Sequence, residues 1–478
     1  MTTKYRLYFF QRTSTHICKP HKSKAQTQAC KRVCFLPTLG LSILTLVLLT
    51  GKAQGQNPTP KTPTATFPNY QQIWTPNQNN NLTPYSPQTN YPSTTGVNQY
   101  ERDRQELANR QQQLESIYRE LERPNKINVK YDLPSCSGVQ GASSYRDAFA
   151  ELSRMANGEK PYDIKQANFL IENAFYDNQG KFENFDLVIK QIGQFLKWKI
   201  EELNYNTNSN LAKNLILYQF FADTLEIKSK KLKHLPFKYD FEDYMGHENW
   251  SKMFVEKALA SNSGQCHSLP LLYLIIAKEI GAKAQLSYSP NHTYIKFQDD
   301  NGKWYNVELT NGMLTTDAFV LQSGYIKAEA LQNKIYMQPL SERQLLSHSM
   351  FDLAKGYSKK FCYDSFVEEV INKALELDPN NINAHMLKSD YLTLRFRHIE
   401  TQLDINEQNY KQILPQYPIA KDIFIARGKQ YALIDNLGYE DMPAASYEKW
   451  LNSLNNAKQK QESNQMFLNL NKTLELKK

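Results

Sequence analysis

Residues 263–312, SGQCHSLPLLYLIIAKEIGAKAQLSYSPNHTYIKFQDDNGKWYNVELTNG, decide the fold, because they set a cysteine, a histidine and a carboxylate on three consecutive elements. Ser268 is an N-cap residue type, Pro270 is tolerated in a first turn, and 269–280 is apolar over a helical length. Gly281 suits the position after a helix that requires positive φ. Cys266 is therefore expected at a helix N-terminus, where unpaired N–H groups and the helix dipole favour a thiolate. Downstream, 283–287, 292–297 and 304–309 carry the β-branched and aromatic residues of strands, with a turn at 299–303. His292 opens the second strand and Glu308 ends the third, which supplies a nucleophilic cysteine with a base and a carboxylate to orient that base.

Gly264, Cys266, His292, Trp304, Val307, Glu308 and Thr310 spell G-x-C before an apolar helix, H at the head of a strand, then W-x-x-V-[DE]-x-T. The chain resembles the transglutaminase-like branch of the papain-like cysteine enzymes. The specific likeness covers about fifty residues. With the 249–259 stretch it extends to a bacterial subgroup patterned G-x-C-x-S-L-P-L-L-Y. The resemblance implies that Cys266 attacks a carboxamide or peptide carbonyl, that His292 moves the proton, and that a carboxylate holds His292. That third position is usually aspartate and here is Glu308, with Asn306 and Asn311 as substitute orienters. Backbone N–H groups at the helix start, chiefly that of Cys266, are the expected oxyanion donors, with Gln265 and Trp250 as side-chain candidates and His267 as a bystander.

Register decides whether the triad forms. A two-residue turn pairing Asp300 with Lys303 would send Glu308 to the face away from His292. An odd loop centred on Asp300, or a bulge near Gly302, sets the two across from each other. The odd loop is expected.

The chain has 478 residues, 41% hydrophobic and 22% charged, enough for two or three domains plus tails. Its net charge of +9 is spread along the length without a basic, aromatic-interleaved stripe, so no nucleic-acid partner is expected. A basic stretch precedes the apolar run 35–50, and Ala53 and Gly55 provide small residues at −3 and −1 of a cleavage site. Residues 1–55 read as a signal peptide or an uncleaved signal anchor, the latter being the expected membrane attachment. Residues 56–98, rich in Pro, Asn, Thr and Gln, read as a disordered linker, and 99–123 as a charged helix forming a weak coiled coil or lying on the next domain. Three of six cysteines fall in the targeting segment. A disulfide between Cys136 and Cys362 would leave Cys266 free.

Helices are expected at 145–155, 164–175, 185–203 and 211–227, forming a shoulder on the core. After the central stretch, 341–357 and 366–377 form a helix pair closed by ALELDPNN (374–381), with a further helix from 382. This is similar to a tetratricopeptide repeat, with looser pairs at 385–414 and 423–457. No C-x-x-C or H-E-x-x-H occurs, and His234, His247, His348, His385 and His398 lie far apart, so no metal and no cofactor are expected.

The expected architecture is α+β: a transglutaminase-like, papain-like core at 124–340 with N-terminal helices, then all-α tetratricopeptide-like pairs at 341–470. The expected function is an exported cysteine acyl-transfer enzyme of the periplasm or cell envelope, acting on protein or peptide through a thioester on Cys266. The alternative is a degenerate scaffold that binds a protein partner through its helical repeats.

Overall fold

A computed structural model describes residues 97–121, 127–453 and 457–476. The expected targeting segment and the linker up to residue 96 lie outside them. Helix α1 (Val97–Leu121) has every side chain from 101 to 116 exposed, so this stretch does not lie on the next domain.

Four helices follow where composition and caps place them: α2 (Ala142–Ala156), α3 (Ile164–Phe175), α4 (Phe182–Glu202) and α5 (Asn210–Ala222). Asp163 caps α3 by accepting from the Gln166 N–H, and Ser209 caps α5 by accepting from that of Ala212. The helix expected to reach 227 stops at 222. Asp223 takes extended dihedrals, and Leu225–Ile227 forms β1, paired antiparallel with β2 (Leu232–His234). The β-branched end of that apolar run goes to a ladder instead of another helical turn.

β3 (Lys238–Tyr239) pairs parallel with β4 (Ser263–Gly264), and α6 (Val255–Ser261) lies between them in sequence. Next comes α7 (Ser268–Glu279), ended by Gly281 at φ 68°, as the C′ reading requires. A four-stranded antiparallel sheet follows in the order β5 (Gln285–Ser289), β6 (His292–Gln298), β7 (Trp304–Glu308), β8 (Met313–Thr315). α7 is apolar all round because it is buried between α4 and α5 on one side and β5 and β6 on the other. Leu272, Tyr273 and Ile276 have no exposed surface, and each such side chain contributes roughly 1.5–3 kcal/mol. The central helix and its sheet are thus fixed by burial, and with them the start of α7 and the end of β7.

The remainder is helical: α8 (Asp317–Leu321), α9 (Ala328–Gln332), α10 (Glu342–Lys360), α11 (Ser365–Leu377), α12 (Ile382–Leu403), α13 (Tyr410–Ile413), α14 (Pro418–Asn436), α15 (Ala444–Ser453) and α16 (Ala457–Glu475). The chain is therefore α+β. The α10–α11 pair lies where the sequence placed it, with a Ser341–Gln344 capping box at its head. Fully buried Ala374 lets the pair approach, and the Ser347 hydroxyl donates to its carbonyl. Asn381 caps α12 and donates to the Ser347 hydroxyl, so the ALELDPNN turn is welded to the helix before it.

These helices do not stand apart from the residues before 340. Leu346, Met350, Leu353 and Tyr357 of α10 share one core with Tyr145, Leu152, Ala167 and Ile171. α16 packs on β8, where Ser463 accepts from the Leu314 N–H, and buries Leu470 and Leu474 in the main core. A disulfide joins Cys136 to Cys362, as the cysteine arithmetic allowed.

Candidate active site

Cys266 lies in the turn between β4 and α7. Ser268, expected as the N-cap, is instead the first helical residue, and its hydroxyl accepts from the Gln265 N–H at 3.0 Å. The Thr293 hydroxyl donates to the Cys266 carbonyl. The turn is held from both sides, and the Cys266 N–H has no acceptor among the described residues. Glycine is required at 264 because a Cβ there would meet the Ser268 hydroxyl at 2.7 Å and Leu269 at 2.8 Å. Gly264→Ala is expected to destabilise the protein by about 1–3 kcal/mol, read as a fall in the denaturation midpoint. An unchanged midpoint would show that the cysteine turn is not tightly held.

His292 and Glu308 meet through the β6–β7 hairpin. The ladder pairs Ile295 with Val307 and Gln298 with Trp304, and Asp299 N–H donates to the Lys303 carbonyl. The loop is odd, as expected, but centred on Asn301 instead of Asp300, with Gly302 at φ 84°. His292 and Glu308 therefore share a face as diagonal neighbours, not as a directly opposed pair. The longer glutamate side chain spans that diagonal, and its Oε2 accepts from His292 Nε2 at 2.7 Å. Its Oε1 accepts the Thr310 N–H, which fixes the carboxylate. With Nε2 so engaged, Nδ1 is the nitrogen turned toward the thiol, and it reaches the Cys266 sulfur through the Tyr447 hydroxyl.

Three further residues complete the site, and sequence reasoning missed all of them. Tyr447 of α15 takes a hydrogen bond from His292 Nδ1 at 3.2 Å and donates to Cys266 Sγ at 3.5 Å. Trp450, one turn on, sets its ring edge-on to His292 with centroids 4.8 Å apart. Tyr239 of β3 lies against both the thiol and Tyr447. Together they roof the pair: Cys266 is 7% exposed and the His292 side chain 1%. A cavity of about 320 Å³ adjoins them, lined by Tyr239, Phe221, Phe237, Phe241, Thr310 and Leu451.

Burial pushes the Cys266 thiol up, but hydrogen bonding and charge from His292, aided by Tyr447 and Tyr239, outweigh it and hold the thiol below its ordinary value. Burial alone would lower His292. The Glu308 charge and hydrogen bonds to Cys266 and Glu308 raise it instead, to about 10. Glu308 is raised by burial and pulled down further by the His292 charge, and stays ionised. The arrangement favours a thiolate–imidazolium pair held by a carboxylate.

The other candidates fall elsewhere. Asn306 donates to Asp317, and Asn311 lines the cavity. Gln265 is fully buried with both amide atoms unpartnered, so it keeps a donor free beside the cysteine in sequence. Trp250 tilts against the His267 ring at 6.2 Å and no hydrogen bond joins it to Cys266. His267 is engaged on both nitrogens, by the Met253 carbonyl and by Asp352, and is not idle. No family model, curated protein or solved structure matches the chain.

Proposed function

We propose that the chain is a cysteine acyl-transfer enzyme with a transglutaminase-like, papain-like core, exported and acting on protein or peptide amides. One observation carries the reading: a single imidazole is bonded through Nε2 to a buried carboxylate and through Nδ1 to the Tyr447 hydroxyl, which donates to the only free thiol among the described residues. The Cys266 thiolate attacks the amide carbon, and the oxyanion takes hydrogen bonds from the Cys266 N–H and the Gln265 amide. As the C–N bond breaks, His292 gives its proton to the leaving amine and a thioester remains. Water, deprotonated by His292, then releases an acid, or an amine releases a new amide.

The test uses a p-nitrophenyl acyl ester. Intact-mass measurement is expected to find one acyl group on the wild type, removed by hydroxylamine as a thioester is, and none on Cys266→Ala. An added primary amine separates the two outcomes, by the fraction of product that is amide. A second reading, a scaffold that binds a protein partner, is favoured by the burial of the thiol under Tyr447 and Trp450. It would be supported by absence of acylation with intact folding. α15 reaches the thiol and α10 shares the core, so deletion from 341 is expected to abolish folding and acylation together.

A further inference from the structure

His267, the residue after the cysteine, leads to a second cluster on the other side of the same turn. His348 and Asp352 stand one turn apart on α10, and His267 reaches them from the start of α7. His267 Nε2 is 2.9 Å from Asp352 Oδ1, and His348 Nε2 is 3.3 Å from Asp352 Oδ2. The donor atoms of the three residues all lie within 4.8 Å of one another. Tetrahedral zinc with bonds of about 2.0–2.1 Å sets its donors roughly 3.3 Å apart, so this spacing brackets what such an ion needs.

We propose that His267, His348 and Asp352 bind one divalent transition-metal ion, zinc being the best match to two imidazoles and a carboxylate. Two features point to a ligand beyond the clustering itself. The outer nitrogen of each ring is already held: His267 Nδ1 donates to the Met253 carbonyl at 2.9 Å, and His348 Nδ1 lies 2.8 Å from the Tyr288 hydroxyl. Outer contacts of this kind orient both rings so that Nε2 faces Asp352, and an ion bound there would take the place of the His267–Asp352 hydrogen bond. His348 Nε2, on a side chain only 3% exposed, has no hydrogen-bond partner although it faces the carboxylate. A buried ring nitrogen without a hydrogen bond is unfavourable, and a cation between it and the carboxylate would satisfy both. The ion would anchor the residue after Cys266 to α10 and hold the cysteine turn in place. The sequence carried half of this signal, since His348 and Asp352 are i and i+4, but the ligand before α7 is 81 residues away from the first of them (348 − 267).

The experiment uses the full chain without a polyhistidine tag, stripped with chelator and titrated with Zn²⁺ by calorimetry and with Co²⁺ by visible absorption. Wild type is expected to bind one equivalent, with the intense visible bands of a low-coordinate Co²⁺ site. Affinity is expected to fall at least a hundredfold in His348→Ala and Asp352→Asn, and about tenfold in Tyr288→Phe, which keeps all three ligands. Cys266→Ala, which alters the neighbouring site only, is expected to bind as wild type does. Far-ultraviolet circular dichroism on each variant separates lost ligands from lost fold, and Tyr288→Phe carries the decision should the ligand variants not fold. Absence of stoichiometric binding in the wild type, unchanged affinity in folded His348→Ala or in Tyr288→Phe, or loss of binding in Cys266→Ala would each overturn the proposal, the last by placing the ion at the thiol.

Discussion

Replacing His292 with alanine is expected to abolish acyl transfer and to slow alkylation of Cys266 by iodoacetamide about 30- to 100-fold at pH 7. The imidazolium and its hydrogen bond oppose the burial that otherwise raises the thiol. Without His292, burial leaves the thiol at or above the ordinary cysteine range, where about 3% or less is thiolate at neutral pH. Glu308→Gln is expected to fall between this variant and wild type, because an amide oxygen still accepts the Nε2 proton but no longer holds the charge on the ring. The pH profile follows from the two directions. The thiol lies below its ordinary value, so the acid limb of acyl transfer falls where a free cysteine would already be inert. His292 keeps its proton up to about 10, so the alkaline limb, where the general acid is lost, is expected near there. Equal alkylation rates for wild type and His292→Ala would show that the pair does not form.

Removing the disulfide with Cys136→Ser and Cys362→Ser is expected to lower stability by roughly 2–5 kcal/mol and the unfolding midpoint by about 5–15 °C. The two cysteines are 226 residues apart, and in the chain-entropy account a loop that long gives one of the larger effects. The surroundings are already ordered for it. Asp364, fully buried, accepts the Cys136 N–H, the Tyr357 hydroxyl and the N–H of Phe366, so it caps α11 and anchors the cysteine together. Thermal unfolding with and without reductant measures the effect, and coincident midpoints would remove it. Alkylation of Cys266 in the folded double variant is expected to match wild type.

What the sequence disclosed depended on how local each signal was. The helices α3, α7, α11 and α12 ended close to where caps and apolar periods put them, because Asp163, Asp364 and Asn381 act within three residues of their own positions. Cys266, His292 and Glu308 were legible together since they fall within one stretch whose strand order constrains their faces. The register was right in parity and one pair off in position, because a loop's centre depends on which residue takes positive φ, and Gly302 took it. Tyr447 was not legible. It lies 181 residues from the thiol it touches, on a helix whose apolar residues indicated burial without indicating against what. The same limit hid Trp450 and His267, whose partners are set by how α10 and α15 return to the core.

The roof over the thiol has a kinetic meaning. α15 is held by Tyr447, Trp450 and Leu451, buried with Met442 against Phe319, and by polar contacts: Asn291 to the Met442 carbonyl, Tyr244 to Glu448, and Tyr325 with Ser446. Where a molecule reaches Sγ only once those contacts release, its observed rate is expected to be the intrinsic rate multiplied by the fraction of time they are undone. At low reagent concentration the rate rises in proportion to reagent. At high concentration it levels off at the frequency of release itself, a plateau that belongs to the protein and is the same for every reagent small enough to enter.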